Sequence, residues 1–179
     1  MALNVENQPP AVVVMGVSGV GKTTVARLLA QRLHLPYAEA DDFHPAANIA
    51  KMSAGTPLDD QDREPWLHAL GDWLGERRRA GTGGVVTCSA LKHGYRDILR
   101  AHCPDAFFLH LSGSHRLVED RLAHRSGHFM PTTLLDSQYA ALEPLRPDEH
   151  GAVLDVGPAP DDLAEMAAQL LRPVNGDLA

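Results

Sequence analysis

Lysine is close to absent from this chain of 179 residues: of its 16 cations, only Lys22, Lys51 and Lys92 carry it. Lysine is ordinarily a common surface residue, so each of the three asks for a local reason. Cysteine is scarce as well. Cys88 and Cys103 are too few for a disulfide framework or a cysteine-built zinc site. Long apolar runs are missing; Ala11 to Met15 is far below the roughly 20 residues of a membrane span. Positive charge is outweighed, 16 Lys+Arg against 23 Asp+Glu for a formal −7. That balance argues against nucleic acid or an anionic membrane as partner, since both demand many cations. Low-complexity tracts and repeats of roughly 20 to 50 residues are also lacking. The opening MALNVENQPP is polar, unlike a secretory leader, so a reducing, cytoplasmic setting is expected. The length suits one domain. It is expected over residues 11–172, between flexible tails at 1–10 and 173–179.

What is present alternates between two periods. Ala11 to Met15 is a continuous β-branched run, as in a parallel strand buried on both faces. A glycine-rich turn follows, then a helical face of Val25, Leu28, Leu29 and Leu33. Pro36 to Ala40 reads as a second strand that ends in Asp41-Asp42, and a short helix is expected over Ala46–Ser53. Pro65 suits the first turn of a helix that runs to Arg79 through Trp66, Leu67, Leu70, Trp73 and Leu74. Further strands are expected at Val85–Ser89, Ala106–Leu111 and Ala152–Val156. Helices are expected over Lys92–Ala101, after Ser114 as N-cap, near Thr133–Leu142, and through Leu163 to Leu171. Five strands alternating with amphipathic helices define an α/β sandwich around a mostly parallel sheet.

Gly16-Val17-Ser18-Gly19-Val20-Gly21-Lys22-Thr23 meets G-x-x-x-x-G-K-[ST] at every fixed position, with strand before and helix after. The glycines let successive backbone N–H groups turn toward phosphate oxygens. Lys22 then meets the β- and γ-phosphates, Thr23 offers a hydroxyl to Mg²⁺, and the helix that carries Thr23 and Thr24 aims its positive end at the same anion. This is a nucleotide-binding loop. A switch GTPase would need N-K-x-D, which is absent. Asp72-Trp-Leu-Gly75 fits D-x-x-G only from inside a helix, and no apolar run ends in Asp-Glu as in a motor ATPase. A small phosphotransferase with a compact acceptor site remains.

The acceptor side is sought between Asp41 and Trp66, where His44, Asn48, Lys51, Asp60, Asp62 and Arg63 crowd together. Asp41 closes the second strand and so should reach the carboxyl edge of the sheet beside the phosphate loop. There it either takes the proton of an attacking hydroxyl or holds Mg²⁺ through water, with Asp42 as the exchangeable alternative. Arg63 and Lys51 suit an anionic acceptor, or else pair with the neighbouring aspartates on a wet surface. Ser89 and Lys92 follow the third strand into the same crevice. Cys88 reads as a small buried hydrophobe. Arg121 and Arg125, four residues apart at a helix end, either reach the phosphates or merely complement the helix dipole. His124 and His128 lack the glutamate of a zinc motif.

Beside GVSGVGKT stand ADDFHP, NIAKMSAGTPLDDQDREPWL, CSALKHGYRDIL and RSGHFMP with LLDSQ after it. On these strings, from about Ala11 to Val156, the sequence resembles the small P-loop gluconokinases. The resemblance implies a three-layer, nucleoside-monophosphate-kinase-like P-loop kinase fold with a lid over about 124–132 and an acceptor-binding insert over about 43–64. It also implies Mg·ATP as donor, D-gluconate as acceptor and a homodimer. On matching positions Lys22, Asp41 and Arg125 would be catalytic, and Asp41, His44, Lys51, Arg63, Ser89 and Lys92 would hold gluconate. Gly16 to Thr24 and Arg121 would hold ATP, with Thr23 on the metal. Family members often have a second lysine where this chain has His93, which leaves His93 outside the expected site. A shikimate-kinase-like acceptor pattern, rich in glycine and arginine, is not seen. All three lysines fall in these motifs, so they are expected to converge on one cleft.

Overall fold

The computed structural model describes residues 8–125 and 131–172. Residues 1–7 and 173–179, and 126–130 of the expected lid with His128, lie outside the described residues. Five strands form one sheet: β1 (Ala11–Met15), β2 (Tyr37–Ala38), β3 (Gly84–Thr87), β4 (Phe107–Ser112) and β5 (Gly151–Asp155). Their order is β2-β3-β1-β4-β5, and every pairing is parallel. The helices are α1 (Lys22–Leu33), α2 (Ala46–Ser53), α3 (Asp60–Arg79), α4 (His93–His102), α5 (His115–Ala123), α6 (Thr132–Ala141) and α7 (Pro160–Leu171).

The apolar run of β1 explains the layers. It is the central strand, and its side chains alternate between two cores. Val12 and Val14 pack with Val25, Leu29, Leu163 and Ala167 of α1 and α7 on one face. Val13 and Met15 pack with Leu67, Leu70, Leu74 and Leu99 of α3 and α4 on the other. A strand buried on both sides has no polar face to alternate, which is why its sequence is continuous. The sequence therefore dictates a three-layer sandwich, with β1 aiming the phosphate loop out of its carboxyl edge.

Two boundary differences bear on the site, the first set by long-range bonds and the second by a local cap. The second strand stops at Ala38, not Ala40, and Ala40–Phe43 coils into a 3-10 turn. Ala40 N–H donates to Thr87 Oγ1 at 3.3 Å, and Ala40 O accepts from Trp66 Nε1 at 2.7 Å, so neither group is left for a strand ladder. Helix α3 begins five residues before Pro65 because Asp59 caps it. Asp59 Oδ1 accepts from Asp62 N–H at 2.8 Å, and Asp62 Oδ2 accepts from Asp59 N–H at 3.1 Å, a reciprocal capping box.

Candidate active site

The phosphate loop needs its glycines for space as well as for φ. Gly16 (φ +143°) and Gly19 (φ +83°) lie in the left-handed region. A Cβ at Gly16 would come within 2.6 Å of Leu111 O, and one at Gly19 within 2.6 Å of the Leu122 side chain. Val17 and Val20 are buried and anchor the loop in the core. Gly16 N–H donates to Ser89 O at 3.3 Å, tying the loop to the end of β3. Lys22 Nζ donates to the carbonyls of Gly16 and Val17, both at 3.0 Å, so the ammonium is folded back on its own loop. Burial pushes Lys22 down to about 8, against the raising influence of Cys88, Asp41 and Glu39. Its charge is therefore partly unmet until an anion arrives.

A cleft of about 420 Å³ opens over this loop, lined by Lys22, Thr23, Asp41, Ser89 and Arg125 among others. Of the two aspartates weighed from the sequence, Asp41 lines it. Cys88 lines it too, but burial pushes its thiol up to about 12, so it stays protonated. Glu39 escaped the sequence reading. It stands one residue past β2, where Thr23 Oγ1 donates to its Oε2 at 3.3 Å and Thr87 Oγ1 donates to the same oxygen at 2.7 Å. The Tyr37 hydroxyl donates to Oε1. Burial would raise this carboxyl, but the hydrogen bonds from Tyr37, Thr87 and Thr23 outweigh it and hold Glu39 ionised. Two hydroxyls and the carboxylates of Glu39 and Asp41 make an all-oxygen donor set, the kind that fits a magnesium ion. The E-A-D spacing was the available signal: a strand ending two residues sooner puts Glu39 at the sheet edge.

A second hollow, about 310 Å³, adjoins the first and shares Gly19, Gly21, Thr24 and Arg125 with it. Pro158, Pro160 and Leu163 give it an apolar wall, and Arg121 lines it while donating from Nη2 to Val156 O at 2.6 Å. Arg125 thus touches both spaces, whereas Arg121 belongs to the second.

The acceptor residues gather on the first turns of α3. The rings of His44 and Trp66 stack with centroids 4.5 Å apart, and Trp66 lines the cleft. Buried Asn48 donates from Nδ2 to Asp62 O at 2.9 Å and to His44 Nδ1 at 3.3 Å, which leaves the His44 ring proton on Nε2. Burial keeps the His44 pKa below its ordinary value, so the ring is neutral at pH 7. Arg63 Nη1 donates to Tyr95 OH at 3.3 Å, with the guanidinium 5.9 Å from the ring centroid.

The expected convergence of three lysines does not occur. Lys51 pairs with Asp62 at 2.7 Å and Lys92 with Asp60 at 3.1 Å; neither lines the phosphate cleft, and nor does Arg63. The acidic first turn of α3 takes both lysines, and the unforeseen early start of that helix is what puts those carboxylates there. For Lys51, the surface pairing weighed from the sequence is what the structure has. Such exposed pairs hold weakly against solvent, so either lysine can exchange its partner for another anion.

Comparison with known proteins gives a consistent picture. The family model for shikimate kinase matches residues 18–134. A gluconokinase of Gluconobacter oxydans is 53% identical over 142 residues, 79% of this chain and 80% of that one. The thermosensitive gluconokinase of Escherichia coli is 42% identical over 163 residues, 90% and 86% of the two chains. Among solved structures, a gluconokinase from Sinorhizobium meliloti superposes with a TM-score of 0.82 at 43% identity, covering 91% of each chain.

Proposed function

The chain belongs to the gluconokinase family of P-loop kinases, and on that footing we propose that it transfers the γ-phosphoryl group of ATP to D-gluconate, giving 6-phospho-D-gluconate and ADP. The observation that carries the mechanism is that Lys22, Thr23, Glu39 and Asp41 line one cleft. The loop N–H groups and Lys22 hold the β- and γ-phosphates. The apolar hollow at Pro158 and Pro160, with Arg121, takes the adenine. Asp41 accepts the proton of the 6-hydroxyl as its oxygen bonds to the γ-phosphorus. The bond from that phosphorus to the β–γ bridging oxygen breaks, and its electron pair leaves with ADP. Arg125, between the two spaces, balances charge on the transferring group. Thr23 and Glu39 are the residues that would hold magnesium, whose chemistry there is to neutralise phosphate charge.

Gluconate is held beyond Asp41, where His44 offers a neutral Nε2–H and Ser89 a hydroxyl. Its carboxylate is met by Arg63, Lys51 and Lys92, the lysines exchanging Asp62 and Asp60 for the ligand. The proposed setting is a cytoplasmic homodimer, supported by the sequence resemblance; among the described residues no helix is long and apolar enough to cross a membrane.

Measuring ADP release with gluconate, shikimate, adenosine phosphosulfate and nucleoside monophosphates tests the reading. Gluconate should give by far the fastest turnover, and gluconate no better than water would end it. Asp41→Asn should cut kcat by about a hundredfold or more, as expected for a group acting in the transition state.

A further inference from the structure

Gln138 reaches the phosphate loop from a helix 120 residues away in sequence. Its Oε1 accepts from Ser18 N–H at 2.7 Å, and its Nε2 donates to Ser18 Oγ at 2.9 Å. The Ser18 N–H belongs to the same planar peptide as the Val17 carbonyl, and that carbonyl accepts from Lys22 Nζ at 3.0 Å. One peptide plane is thus gripped from both sides, by Gln138 at its N–H and by Lys22 at its oxygen.

The helix that brings Gln138 is itself fixed. Leu135 of α6 is buried in the core, and the Tyr139 hydroxyl donates to Gly113 O at 2.8 Å. Just past the helix end, Glu143 N–H donates to Leu91 O at 2.8 Å, and Glu143 Oε2 accepts from His93 N–H at 2.6 Å. Helix α6 therefore spans from the phosphate loop to the β3–α4 loop. A carboxamide held this way is preorganised, and it can fix a partner without first being ordered itself.

We propose that Gln138 is a positioning residue for phosphoryl transfer, locking the Val17–Ser18 peptide and with it the carbonyl that holds the Lys22 ammonium beside the phosphate cleft. The proposal rests on the kinase reading above. Without the carboxamide the peptide is free to rotate, which takes the Val17 carbonyl off Lys22 and changes which loop groups face the phosphate. Binding of gluconate, which meets other elements, is untouched.

The test uses Gln138→Ala, Ser18→Ala and the double variant in steady-state assays, with amide hydrogen exchange of the nucleotide-free protein. Gln138→Ala should lower kcat about 10- to 100-fold, the scale of a small misplacement, with the gluconate KM within about twofold. The double variant should be no slower than Gln138→Ala, because the Ser18 hydroxyl acts through the same lock. Exchange at Ser18 should quicken in Gln138→Ala and slow again in Gln138→Glu, which keeps an acceptor for that N–H. Alanine is a good helix former, so the melting temperature should barely move. Wild-type kcat in Gln138→Ala, additive losses in the double variant, or unchanged exchange at Ser18 each overturn the proposal. Absence of gluconate turnover in the unaltered enzyme would instead remove the kinase reading, and the exchange measurement would still decide whether the lock exists.

Discussion

Thr23 Oγ1 donates to Glu39 Oε2 across 3.3 Å, joining the last fixed position of the phosphate loop to a carboxylate one residue past β2. Because Thr87 and Tyr37 also donate to this carboxylate, it stays ionised and aimed at the hydroxyl that the loop motif reserves for a metal. Glu39→Gln keeps the shape and removes the charge. It should raise the Mg²⁺ concentration needed for half-maximal rate by about 10- to 100-fold, the usual effect of losing a group that supports a metal. A titration of rate against Mg²⁺ at saturating ATP checks this, and an unshifted curve would assign Glu39 to holding Thr23 and Thr87 alone.

Lys22 predicts a pH dependence of nucleotide binding. In the free enzyme burial lowers its pKa to about 8, and phosphate oxygens would raise it again by offering countercharge. Binding then takes up a proton once the pH exceeds about 8, so the affinity for ATP should be flat below about 7. Above about 8 it should fall by up to about tenfold per pH unit. Isothermal titration in buffers of different ionisation enthalpy measures both the affinity and the proton uptake. In Lys22→Met the affinity should be weak and nearly free of this slope.

Arg63 tests the acceptor side. Its guanidinium meets the Tyr95 hydroxyl and ring, so it is held in place with donors to spare for a carboxylate. Hydrogen bonds to charged groups are worth about 1.5–3 kcal/mol, so Arg63→Ala should raise the gluconate KM by about 10- to 100-fold with the ATP KM little changed. An unaltered gluconate KM would return Arg63 to the wet surface.

The residues of the site mark how far the sequence was legible. Lys22 and Thr23 were readable because a phosphate loop is a local object: one strand, eight residues and a helix start carry all of its geometry. Asp41 followed from the sheet-edge rule even though the strand before it is shorter than expected. Glu39 was missed because that boundary is set by Thr87, 47 residues from Ala40. The pairing of Lys92 with Asp60 was missed because α3 begins at an aspartate cap, although D-x-x-D before a helical pattern was a local sign of it; for Lys51 the aspartate pairing was one of the two readings the sequence left open. Gln138 could not be given a role, since its partner is 120 residues away and nothing in its own surroundings names Ser18.

The tie between Arg96 and Glu149 is of the same long-range kind, and it makes the last prediction. Arg96 is fully buried, with Nε and Nη2 donating to Glu149 at 2.8 and 3.1 Å and Nη1 donating to the carbonyl of Ala90 at 2.8 Å. That carbonyl belongs to a residue held at φ +45°, one step past Ser89 in the site. Burial would raise the Glu149 carboxyl. The hydrogen bonds from Arg96, the Arg146 amide and Arg100 outweigh that and hold it far below its ordinary 4.5. Removing one partner of such a pair leaves a buried charge unmet, so Glu149→Gln should destabilise the fold by about 3–5 kcal/mol in urea unfolding near pH 7. A carboxyl depressed by folding contributes stability that is present above its unfolded pKa and lost as pH falls through its folded one. The gap between the two proteins should therefore hold steady above about pH 5 and narrow on acidification below 4.5. A gap independent of pH would mean that Glu149 works by packing and not by charge.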